Sequence, residues 1–204
     1  MVLTFNGLCS KLKNKDIYLF IGNSALGYRY KSDLNKVMKK ACTEMSDNST
    51  VIYFGDSVDK LTIGYCYKYI SEHRKDIDIY MINIMSTKKY SYPKFVKGAY
   101  YHNDYKKCSH SEYGGIDKNG NACSNTKKWL RIHKKFEPTG HGIKKIFFLG
   151  GGKISYQEYK VAKKNKIPYE YHKLQRRFRD DRKTRIRDKD TNKIKYGYTF
   201  KKIR

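Results

Sequence analysis

The stretch KKIFFLGGGKISYQEYKVAKKNKIPYEY, Lys144 to Tyr171, decides the fold. Lys144 to Leu149 is a short apolar run of the kind that fills a strand buried on both faces. Gly150, Gly151 and Gly152 form a turn, and Ile154, Glu158, Val161 and Ala162 then fall on one side of a helix. Ile167 to Tyr171 returns to strand. Strand, glycine turn, helix, strand is one βα unit.

The same unit recurs upstream. Ile17 to Gly22 (IYLFIG) reads as a buried strand ending in glycine, and Leu34, Val37, Met38, Ala41 and Met45 make an amphipathic helix that Ser32 or Asp33 can cap. Val51 to Gly55 is a second strand, Ile63, Cys66, Tyr67 and Ile70 a helical stripe, and Ile77 to Ile84 a third strand. Helix resumes around Thr126 to Phe136, with Trp129, Ile132, His133 and Phe136 on roughly one side. Alternation of strand and helix implies parallel pairing through crossovers. The expectation is a Rossmann-like, doubly wound, mainly parallel α/β sheet of about five strands in one domain, residues 1–171, with 86–125 as an irregular insertion.

Residues 172–204 carry 14 Lys or Arg against four Asp and too few apolar side chains for a core. They form a basic C-terminal extension, in which TRIR and KIKYGYTF flank the turn-like DKDTN as a hairpin would. Six of the ten arginines, Arg176, Arg177, Arg179, Arg182, Arg185 and Arg187, crowd into twelve residues of this segment and are candidates for contacts to DNA or RNA phosphates. The net charge of +26 attracts polyanions. Codon drift in an AT-rich genome, such as that of a large DNA virus or phage, would also enrich lysine, asparagine, isoleucine and tyrosine, but it does not predict clustered arginine.

No apolar run reaches the roughly 20 residues of a membrane span, and Met1 to Ser10 lacks the order of a secretion signal, so an intracellular location without membrane contact is expected. The cysteines, Cys9, Cys42, Cys66, Cys108 and Cys123, are odd in number and read as thiols. Cys108, His110, Cys123 and His133, with His102 nearby, are zinc-ligand types, but their spacing matches no paired Cys-x-x-Cys signature, and neither a metal nor another cofactor is expected. Tyrosines interleaved with lysines between Tyr90 and Tyr113 suit either base stacking or the cover of a core edge.

Ligands of open α/β sheets collect where strands end and helices begin. Three such ends carry glycine with small polar residues: Gly22, Asn23 and Ser24; Gly55, Asp56 and Ser57; and Gly150, Gly151 and Gly152 with Lys153 and Ser155. Glycine lets the backbone approach an anion, and the hydroxyls and Lys153 can complete a phosphate site. Each turn taken singly is also what a tight βα connection needs. Asp56, Asp59 and Glu158 are the carboxyls that could supply acid or nucleophile, although Asp56 and Asp59 equally suit the cap of the helix beginning near Leu61.

Gly150 to Glu158, GGGKISYQE, resembles the PGGxGTxxE signature of the lonely-guy and lysine-decarboxylase-like Rossmannoid families. Gly150 stands where the signature has proline and Ile154 where it has its last glycine. The resemblance implies nucleotide phosphate binding by Gly151, Gly152 and Ser155, a role for Glu158 near the ribose, and a homodimer. The catalytic arginine of such hydrolases has no motif-based counterpart, Arg29 being a candidate only by default. Two functions follow as expectations. One is a nucleotide- or ADP-ribose-like-ligand-binding Rossmannoid, with N-glycosidic hydrolysis by Glu158 or Asp56 as its enzymatic form; the other is a nucleic-acid-binding protein working through its arginine-rich segment.

Overall fold

The computed structural model describes residues 1–22, 27–54, 61–84, 92–102, 115–116, 121–175, 184–187 and 194–197. Its main sheet is all parallel and has seven strands, two more than the sequence suggested.

In chain order the elements are β1 (Val2–Leu3), α1 (Phe5–Leu12), β2 (Asp16–Gly22), α2 (Lys31–Glu44), β3 (Ser49–Phe54), α3 (Gly64–His73), β4 (Asp78–Ile84) and β5 (Val96–His102). Then come α4 (Ser124–Phe136), a single 3-10 turn, β6 (Ile143–Leu149), α5 (Lys153–Lys164) and β7 (Tyr169–His172). The sheet runs β1-β5-β4-β3-β2-β6-β7. From β2 the chain steps outward through β3 and β4 to β5, then returns past β2 to lay down β6 and β7 on its other side. The direction of travel therefore reverses between β2 and β6.

Strand alternation builds two cores, one on each face of the sheet. Tyr18, Phe20, Val51, Tyr53, Phe147 and Leu149 pack under α2 and α3, which contribute Leu34, Met38, Ala41, Cys66, Tyr67 and Ile70. Ile17, Leu19, Ile52, Ile146 and Phe148 face the other way, toward Leu8 and Leu12 of α1, Trp129 and Ile132 of α4, and Ala162 of α5. Each fully buried aliphatic side chain contributes roughly 1.5–3 kcal/mol, so the apolar stripes suffice to dock these helices.

Three differences from the sequence reading have physical causes. The stretch read as an irregular insertion contains β5, whose exposed Lys97 and interior Gly98 break the apolar run; Gly98 packs under Leu3, whose Cδ1 would stand 2.8 Å from a Cβ there and have to shift for it. The short β1 and α1 were not anticipated, and α1 is secured by Thr4, whose hydroxyl accepts the Gly7 amide at 3.0 Å. Finally, α2 starts at Lys31 with Tyr30 as its cap residue and no side-chain cap, so Ser32 and Asp33 lie inside the first turn and Asp33 acts there through the helix dipole.

In the C-terminal extension, β8 (Thr184–Arg187) and β9 (Ile194–Gly197) pair antiparallel, the ribbon anticipated from TRIR and KIKYGYTF. No described helix is long and apolar enough to cross a membrane.

Candidate nucleotide site at the strand-order reversal

Strands β2 and β6 are neighbours that end level, Gly22 beside Leu149. Open α/β sheets leave a crevice at such a reversal, because the loops from the two strands depart to opposite faces. The three glycines that follow β6 are not equivalent. Gly150 has φ 61°, donates its N–H to the His172 carbonyl at 2.7 Å, and would bring a Cβ within 2.6 Å of the Leu174 carbonyl oxygen. Gly151 has φ 106°, and a Cβ on it would overlap the Ser155 side chain. Both positions require glycine.

Gly152 differs: its φ is −100°, and a Cβ there would meet nothing within 4 Å. It caps α5, whose first turn holds no acidic residue and no side-chain cap bond. The α5 N-terminus thus directs uncapped amides and the positive end of its dipole at open space, the arrangement that receives an anion.

The floor of the crevice is stitched together. Ser155 is buried and donates its hydroxyl to the Gly22 carbonyl at 3.2 Å. Tyr28, also buried, donates to the Leu149 carbonyl at 2.8 Å and lies across Gly22, where a Cβ would collide with its hydroxyl and sit 2.7 Å from Leu149 O. Gly22 is therefore glycine for close approach. The loop carrying Tyr28 spans the crevice: the Tyr28 amide bonds the Leu61 carbonyl at 2.7 Å and the Arg29 amide the Gln175 carbonyl at 2.9 Å. Arg29 and Tyr30 are exposed on its rim, the guanidinium carbon 5.2 Å from the ring centroid.

Glu158 lies one turn further along α5, only 7% exposed. Its Oε1 accepts the Thr126 hydroxyl at 2.7 Å and the Trp129 indole N–H at 3.3 Å. The Gly115 amide donates to Thr126 at 2.7 Å and also interacts with the carboxyl. Burial pushes the Glu158 carboxyl above the usual range, and the Thr126, Trp129 and Gly115 hydrogen bonds pull against that without cancelling it. In this arrangement Glu158 ties the middle of α5 to the first turns of α4. Nothing in the sequence flagged Tyr28 or Thr126, and Trp129 showed only as part of an apolar stripe.

Of the other residues singled out from sequence, Asn23, Ser24, Gly55, Asp56, Ser57, Asp59, Arg176, Arg177, Arg179 and Arg182 lie outside the described residues. Lys153 opens α5, and Arg185 and Arg187 belong to β8. Cys108 and His110 also lie outside, whereas Cys123 is the buried cap residue of α4. His133 Nδ1 accepts the Ile143 amide at 3.1 Å, with burial holding its pKa down, and His102 Nε2 is 3.2 Å from Asn125 Oδ1. Among the described residues no three potential metal ligands converge. Cys9, Cys42, Cys66 and Cys123 are free thiols.

Compared with models of known protein families and with curated proteins, the sequence matches none.

Proposed function

We propose that the crevice between β2 and β6 binds a small nucleotide or another phosphorylated nucleoside, ADP-ribose-like compounds included, with a phosphate at the N-terminus of α5. The observation that carries this reading is the reversal of strand order at the point where β2, ending on Gly22, and β6, followed by Gly150, meet an uncapped helix. The likeness of GGGKISYQE to the lonely-guy signature supports the same ligand class. In this reading Gly151 sets the turn, Ser155 fixes the turn against β2, and Gly152 leaves room for the phosphate. Arg29, exposed on the rim, is one cation available to the rest of the ligand.

Binding is better supported than bond cleavage. Glu158 faces Thr126 and Trp129 and is a positioning residue as it stands, so N-glycosidic hydrolysis would have to recruit a carboxyl such as Asp56.

Gly152 offers a clean test, since a side chain there costs the fold little while filling the proposed phosphate position. A thermal-shift screen of nucleoside phosphates and ADP-ribose should find a compound that raises the melting midpoint of the wild type at high salt. Gly152→Leu should abolish that shift while melting within a few degrees of the wild type. Undiminished affinity in a folded Gly152→Leu protein would refute the site.

A second reading has its own observation. The β8–β9 register sets Arg185 opposite Tyr196 and Arg187 opposite Ile194, a basic ribbon of the type that contacts nucleic-acid phosphates.

A further inference from the structure

The outer face of α5 and the free edge of the sheet at β7 expose an aromatic cluster that the nucleotide crevice does not use. Tyr156, Tyr169 and Tyr171 are 56%, 37% and 51% exposed. Tyr159 links them: its ring centroid lies 6.1 Å from that of Tyr156 in a near-parallel stack, 5.0 Å from Tyr169 and 5.9 Å from Tyr171, both edge-on. Contiguous exposed aromatic surface of this kind marks a contact site, whereas scattered exposed rings do not.

Among the described residues of α5, β7 and the segments flanking them, the exposed charge has one sign. Lys160 holds its ammonium 4.7 Å from the Tyr156 ring centroid, and Lys163, Lys164, Lys166 and Lys173 are all exposed around the same helix and strand. The two acids of α5 and β7 are turned away. Glu158 is buried against α4, and Glu170 points to the other side of the strand, where it meets Lys40 at 2.6 Å. Strand alternation enforces this separation, placing Tyr169 and Tyr171 with Tyr159 and Glu170 with α2.

We propose that this tyrosine–lysine face binds single-stranded nucleic acid, bases stacking on Tyr156 and Tyr171 and phosphates passing along the lysines. Exposed rings on a cationic rim are the two elements of sequence-tolerant single-strand binding. A duplex keeps its base faces inside its own stack and offers these rings nothing. An acidic peptide answers the charge but supplies no planar partner for several rings. A second copy of the chain fits worst, because it brings lysine rim against lysine rim in a protein of net charge +26. The face is separate from the α5 N-terminus, so this inference stands or falls independently of the nucleotide site.

The test uses the full chain, with a fluorescent oligothymidylate and a mixed-sequence duplex read by anisotropy over a range of salt. Wild type should prefer the single strand. Tyr156→Ala with Tyr171→Ala should weaken oligothymidylate binding by on the order of tenfold per lost stack and leave duplex binding unchanged. Tyr156→Phe with Tyr171→Phe should retain the affinity, since the ring and not the hydroxyl makes the stack. Lys160→Gln with Lys163→Gln, on exposed helix positions, keeps the question answerable if the alanine pair melts: it should flatten the slope of log affinity against log salt by about 0.7 per lost phosphate contact. An unchanged single-strand to duplex ratio in a folded alanine pair would overturn the proposal. So would a self-association, seen by sedimentation, that the alanine pair abolishes.

Discussion

Glu158 and Glu170 belong to the same βα unit, on opposite sides of its strand layer, and the fold treats them in opposite ways. Glu158 is sealed beneath α4 with neutral donors, Thr126, Trp129 and the Gly115 amide, and burial wins, raising its pKa. Glu170 is also pushed upward by burial, but the Lys40 hydrogen bond and the charges of His172, Lys40 and Lys145 outweigh that and hold it below the usual range. The difference is one of depth and of partners together. A deeply buried carboxyl whose neutral donors do not offset the loss of water is drawn toward its protonated form and serves as a structural knot, while a shallower one ringed by cations stays ionised and serves as a node in a charge network.

Removing the knot should have the largest effect. Glu158→Ala leaves the Thr126 hydroxyl and the Trp129 N–H without their acceptor in a dry site and opens a cavity, for an expected loss of about 3 kcal/mol in chemical denaturation. Glu158→Gln keeps an acceptor oxygen at the same place and should cost less than half as much. Equal losses in the two variants would show that negative charge, and not the acceptor, holds α4 to α5.

The pH course should separate the two acids by sign. Glu158, with its folded pKa raised, contributes stability that is complete below the unfolded value of about 4.3 and declines as pH rises through the folded pKa. Glu170, with its folded pKa lowered, contributes stability present above about 4.3 and lost as pH falls through its folded pKa. Melting curves of Glu158→Gln and Glu170→Gln, each subtracted from wild type across the acid range, should therefore slope in opposite directions. Difference curves of the same sign would mean that one of the two environments is misassigned.

The same contrast explains what could be seen in the sequence. Strands buried on both faces announce themselves as apolar runs, and IYLFIG, VIYF and IFFL fall in β2, β3 and β6 because their side chains enter the cores on the two faces of the sheet. The strand β5 did not, since VKGAYYH trades apolar character for Lys97 on an exposed position and Gly98 under Leu3. Gly150 and Gly151 were legible as a turn because positive φ selects glycine at the level of a single residue. The setting of Glu158 was not legible. Its partners Thr126 and Trp129 stand 32 and 29 residues away in another helix, and only the return of the chain past β2 brings them together. Spacing supplied a motif, and topology decided which way its glutamate points.

The smallest expected effect belongs to the charge node itself. Lys40 and Lys145 each reach Glu44 as well as Glu170, so losing one carboxylate leaves both cations a partner. Glu170→Gln should accordingly lower the melting midpoint near neutral pH by no more than about 3 °C, and the difference should shrink as salt is added. His172 gives that measurement a second edge. Its Nε2 lies 2.9 Å from Glu170, yet burial, reinforced by Lys40, holds its pKa below the usual histidine value against the pull of Glu170. A histidine so shifted contributes stability that is full above about pH 6.5 and lost as pH falls through its folded pKa. Without the carboxylate its charged form is disfavoured further, so in Glu170→Gln the decline between neutral and mildly acidic pH should grow steeper. A decline that flattens instead would mean that His172 takes its stabilisation from being charged, and that the node, unlike the knot, is held by a full ion pair.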